Sequence, residues 1–180
     1  MRRVMLGVFA AVGLAGLAAG TTVTRAQHAH GGAGARGHQV AQTCASEFEK
    51  VVGEGRGFGL AFAADQNGYP GPMHVLELKG RLTLTADQEA KARELMHAMF
   101  TESRPKGARL LEAEAKLRRL FAERVADAAT VRAAVAEVER ARTEVRLVHL
   151  LTHLTTRDLL IEDQRRIYHE ARWGAIAPAR

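Results

Sequence analysis

The chain has 180 residues, 47% of them hydrophobic and 5% aromatic, with one cysteine and a formal charge of +6. That length fits one domain, and the solitary Cys44 excludes a disulfide framework as well as a CxxC metal knuckle or redox pair. Charged residues at 26% beside this apolar fraction exclude global disorder, and apolar content carried by Ala, Leu and Val suits helices packed on helices.

The first 26 residues form the first unit. Met1-Arg2-Arg3 is a basic start, Val4 to Ala19 is an uncharged apolar run, and Thr24-Arg25-Ala26 ends it with small residues. This pattern reads as a secretory signal peptide. Its removal takes Arg2, Arg3 and Arg25 and no acid, leaving 23 basic against 20 acidic residues, or +3. The basicity is therefore largely an export feature, and nucleic acid is not an expected partner. The alternative is an uncleaved membrane anchor. The 16-residue run falls just short of the roughly 17–25 residues a span requires. In an exported chain, in an oxidising compartment, Cys44 is expected to pack as a small hydrophobe, with an intermolecular disulfide as the alternative.

Residues 27–38 carry His28, His30 and His38 among glycines and read as a flexible linker, ahead of a helical domain over 39–173 and a tail at 174–180. A short helix is expected from Gln39 to Val52. The glycine-dense Gly53 to Gly59 that follows lacks the preceding strand, the following helix and the lysine and hydroxyl of a phosphate loop. An apolar connector is expected to lie across a helical surface through Phe58, Leu60 and Phe62, ending in turns at Asn67 to Pro72.

From His74 the pattern is helical. Thr85 and Gln88 form a capping box, with Asp87 in the first turn. Leu95, Met96, Met99 and Phe100 give one apolar face, Pro105 with Gly107 is expected to break or kink the helix, and Leu110, Leu111, Leu117, Leu120 and Phe121 continue beyond it. Asp127 or Thr130 can cap a last helix whose stripe is Val131, Val135, Val138 and Val145. Unbroken to Trp173, that helix would be about 65 Å long, against a radius of gyration of about 15 Å for a compact globule. Either it breaks near Thr155 to Asp158 or the molecule is an elongated helical hairpin.

Leu84-Thr85-x-x-Gln88 resembles the LTxxQ motif of the Spy/CpxP family of exported helical proteins, and Leu160-Ile161-x-x-Gln164 resembles a second copy in which Ile161 replaces the capping threonine. The resemblance covers residues 53–172. It implies an all-α fold: an elongated hairpin of long amphipathic helices that dimerises into a cradle. It also implies an ATP-independent chaperone, a stress-response accessory or a metal-responsive protein.

For chaperoning, Arg93, Lys106, Arg109, Lys116, Arg118 and Arg119 offer positive charge beside apolar stripes, and Met96 and Met99 offer adaptable contacts. For metal binding, His149 and His153 stand four apart on one helix face, and His74 with Glu77 can add ligands across the hairpin. His97 and His169 are further candidates. Sensor-type members resemble a His-x-x-x-Met pattern, whose positions fall here on Thr152 and Thr156, so the core-histidine reading of His149 stays open. No nucleophile stands beside a base at a catalytic spacing, and no enzyme is expected. The leading expectation is a homodimeric chaperone or envelope-stress accessory for unfolded or envelope proteins. The runner-up is a metal-binding or metal-sensing protein that uses His74, His149 and His153 for zinc, copper or nickel. The third is a membrane-anchored regulator, should residues 1–26 remain.

Overall fold

The computed structural model describes residues 31–174, with side-chain surroundings from Gly37 onward. The segment read as a signal peptide, His28 and His30, and the tail beyond Gly174 lie outside the described residues. Seven helices follow one another: α1 (Gly31–Gly53), α2 (Phe62–Asp65), α3 (Pro72–Glu77), α4 (Lys79–Leu82), α5 (Ala86–Ala122), α6 (Ala128–Leu159) and α7 (Glu162–Trp173). The fold is all-helical and built on the antiparallel α5–α6 hairpin. None of the described helices is long and apolar enough to cross a membrane.

Helix α1 begins earlier than the linker reading placed it, at Gly31. Once packing fixes its second half, each upstream residue adds one backbone hydrogen bond at little further cost. Residues 37–47 are all exposed, so this part of α1 has no packing partner. Cys44 is exposed with it, which corrects the expectation of a packed thiol. The second half docks Val52 into the hairpin core with Leu110, Ala113, Val138 and Val145. Gly107 permits that approach, because a Cβ there would stand 2.5 Å from the Val52 carbonyl oxygen.

Helix α5 runs through Pro105 without ending. The ring removes a donor, a change that in isolation costs about 3 kcal/mol or more. Packing on both sides of the proline holds the helix: buried Ser103 donates to the Gly55 carbonyl at 2.6 Å, and Gly107 and Leu110 are buried. The expected break is therefore absent because tertiary contacts outweigh a local preference.

The hairpin turns after α5 with Arg124 in the left-handed region at φ 57°. Asp127 then caps α6: its carboxylate accepts from the Ala129 and Thr130 N–H groups at 2.8 Å, while the Thr130 hydroxyl accepts from Asp127 N–H. The pairs Arg109–Glu144, Lys116–Glu137 and Arg142–Glu114 cross the hairpin at 2.6–2.8 Å. Exposed pairs of this kind add little stability each and mainly fix register. With Arg93–Glu89, Lys106–Glu102 and Arg118–Glu49, they also engage most of the cations that were expected to present free positive charge. Val138 and Val145 are buried, while Val135 is exposed because Ala134 takes the inward position beside it.

Helix α6 stops at Leu159, Leu160 is extended, and α7 restarts at Glu162. Both alternatives for the last helix thus hold together: it breaks just past Asp158, and the hairpin is long. The two LTxxQ-like segments meet at this break. Each glutamine Oε1 accepts from its own segment's backbone, from Thr85 N–H and from Ile161 N–H, both at 3.1 Å. Gln88 Nε2 donates to Gln164 Oε1 at 2.8 Å and Gln164 Nε2 donates to Gln88 Oε1 at 2.9 Å. The remaining amide hydrogens reach the Leu159 and Leu82 carbonyls at 3.0 and 3.2 Å. Leu84 and Leu160 flank this pair in a second core with Val75, Leu82, Ala92 and Tyr168. Ile161 cannot cap by side chain, and Gln164 alone satisfies its N–H.

Candidate functional site

The glycine-dense loop after α1 sets one wall of a cavity of about 470 Å³. Gly55, at φ 85°, closes α1 where a side chain would strike Ser103 and Arg104. The chain then passes Gly57, Phe58 and Phe62, and returns at Gly71-Pro72-Met73-His74. Met99 from α5, His149 and His153 from α6, and Arg172 and Trp173 from α7 complete the lining. Phe58 and Phe62 are exposed rather than spread over a helical surface as expected. Phe58 adopts a left-handed turn conformation and meets Phe48 edge-on, and Phe62 meets Trp173 edge-on at 5.5 Å. Only Leu60 packs against the core.

The three histidines singled out by spacing thus line one cavity, in different states. His74 has both ring nitrogens engaged. Arg172 has only donors to offer, so His74 Nε2 accepts from it at 3.1 Å, and Nδ1 donates to Glu77 at 3.1 Å. His153 is 7% exposed and faces the Tyr69 carbonyl through Nδ1 at 2.6 Å. A carbonyl only accepts, so Nδ1 carries the proton and Nε2 keeps its lone pair. His149 is 4% exposed, and its Nε2 is buried with no hydrogen-bond partner. Burial and the neighbouring His153 push the His149 pKa down to about 4. Burial also lowers that of His153, against the opposing pull of the Tyr69 carbonyl and Asp65. Both rings are held as neutral imidazole, the form that ligates metal.

Two glycines leave room at these rings. A Cβ at Gly71 would stand 2.8 Å from His153 Nε2, and one at Gly57 would stand 3.1 Å from the His149 ring. Asp65, the cavity's carboxylate, is committed elsewhere. Tyr168 donates to one of its oxygens, and Arg172 donates to the other at 2.8 Å. The buried Tyr168 hydroxyl has its pKa raised by burial and by Asp65.

His97 and His169 do not line the cavity. Thr152 and Thr156 donate to the backbone carbonyls of Val148 and Thr152 at 2.8 and 2.7 Å, so their hydroxyls serve the helix. Among the described residues, no group of three or more His, Cys, Asp or Glu side chains is placed to hold a metal ion together. Nothing in their local sequence connects Met73, Met99, Trp173, Gly57 or Gly71 with the histidines. The Pro-Gly-Pro turn just before His74 was the available signal.

A family model for heavy-metal resistance matches residues 57–166, which takes in the end of the glycine loop from Gly57, both glutamines and His74, His149 and His153. The chain belongs to the heavy-metal-resistance family, which is the Spy/CpxP-like LTxxQ family. No curated protein and no solved structure matches it. The matched region holds the whole hairpin and stops within α7, before Arg172 and Trp173.

Proposed function

We propose that this protein serves heavy-metal resistance by binding a metal ion in the cavity, with His149 and His153 as its nitrogen ligands. The supporting observation is the partnerless, buried Nε2 of His149 one helical turn from His153, whose Nε2 lone pair is free. A polar atom buried without a partner costs about 1–3 kcal/mol, and a ligand at that atom removes the cost. The bond from His153 Nδ1–H to a backbone carbonyl is the outer contact that orients metal-binding histidines. His74 stands at the edge and joins only after release from Arg172. The role is binding rather than catalysis, and the protein is exported to the periplasm, or held at the inner membrane there if its first segment stays. Titration of the wild type and of a His149→Ala, His153→Ala double variant with zinc, copper and nickel tests this. Saturable binding that the double variant loses is expected, and equal affinity in both would remove these ligands.

A second reading rests on a separate observation. Leu147, Leu151 and Leu154 are 49, 57 and 47% exposed and fall on one face of α6 at i, i+4 and i+7. An exposed leucine row on a long helix suits weak, reversible holding of unfolded or envelope proteins, by one chain or by a homodimer. Suppression of aggregation by the wild type, lost on Leu147→Glu, Leu151→Glu and Leu154→Glu together, is the expected result. No suppression at stoichiometric excess counts against it.

A further inference from the structure

We propose that the ion selected by this cavity is soft and monovalent, copper(I), held by His149 and His153 together with the thioethers of Met99 and Met73. This rests on the metal-binding reading above and adds the identity of the ion and two ligands. Met99, buried on α5, and Met73, half-buried at the start of α3, line the same cavity as the two histidines. Thioether and imidazole donors suit copper(I), whereas carboxylate and water oxygen suit harder ions.

The charge on the cavity wall points the same way. Arg56 and Arg172 are cationic, and the one anion, Asp65, is already bonded to Tyr168 and Arg172. All four donors are neutral. A dication placed here keeps its whole double charge beside two arginines and no free carboxylate, and the repulsion and desolvation an ion meets rise steeply with its charge. A monovalent ion needs far less compensation. With thioethers completing its shell, copper(I) needs no third His, Cys, Asp or Glu ligand, in keeping with a site where no three such groups converge among the described residues.

The test uses the full exported chain, titrated under reducing conditions with copper(I) against a competing chromophoric chelator, and in parallel with zinc(II) and nickel(II). One copper(I) per chain is expected, bound more tightly than either dication. A Met73→Leu, Met99→Leu variant keeps side-chain volume and packing, which its thermal unfolding checks. It is expected to lower copper(I) affinity on the order of tenfold or more and to leave zinc(II) affinity unchanged. Zinc(II) or nickel(II) binding as tight as copper(I), or a leucine pair with undiminished copper(I) affinity, would overturn the copper(I) assignment while leaving a metal site at the histidines. Absence of binding by all three ions would overturn the metal-binding reading itself.

Discussion

At the scale of single residues, the site is built on two neutral imidazoles. His149 takes up a proton near pH 4 in the folded protein and near 6.5 when unfolded. Between those values the unfolded chain binds more protons, so stability is fully present above about 6.5 and falls as the pH drops towards 4. The loss is on the order of 3 kcal/mol, and His153 adds to it in the same direction. Chemical denaturation at a series of pH values should show that decline. A His149→Leu variant should make it shallower, gain about 1 kcal/mol at neutral pH through loss of a partnerless buried nitrogen, and weaken metal binding in the cavity. The i, i+4 spacing of His149 and His153 was legible in the sequence because helical periodicity puts such residues on one face. Met99 and Met73 were not, since nothing local to either marks which distant side chains the fold brings beside it.

At the scale of elements, the capping box at Thr85, with it the start of α5, and a cap at Asp127 or Thr130 followed from local chemistry. The run of α5 through Pro105 did not, because its support comes from Ser103 and Gly107 meeting α1 about 50 residues upstream. The glutamine pair likewise joins two segments 76 residues apart. Each motif was readable by itself, but their reciprocal bonding depends on the hairpin being the length that brings them level. Gln164→Ala leaves Gln88 and the Leu82 carbonyl short of partners and should cost about 1–3 kcal/mol in unfolding free energy. Arg124→Gly should raise stability by about 1 kcal/mol, since glycine adopts the left-handed conformation without steric cost. Thermal or denaturant unfolding reads both. Gly71→Ala has a different signature. The backbone at Gly71 is extended and accepts alanine, but the new methyl group crowds His153 Nε2, so metal affinity should fall while helical content by circular dichroism stays the same.

At the scale of the whole molecule, the long hairpin gathers its working groups at one end. The cavity, the glutamine pair and the buried Asp65–Tyr168–Arg172 contacts all lie where α2, α3, α4 and α7 close over the open end of α5 and α6, and the Glu123–Asp127 turn closes the other end. With α5 37 residues long, or about 55 Å, small-angle scattering should give a radius of gyration well above the roughly 15 Å of a compact chain this size; a value near 15 Å would contradict the hairpin. The central claim is that the metal sits on His149 and His153, and the chain's eight histidines supply their own controls. Nitrogen-15 NMR of the imidazole rings during titration with copper(I) or zinc(II) reads each Nε2 directly. The His149 and His153 Nε2 resonances are expected to move on binding while those of His97 and His169 stay in place. Movement confined to His28, His30 and His38, or to the surface rings, with His149 and His153 unchanged, would contradict that claim.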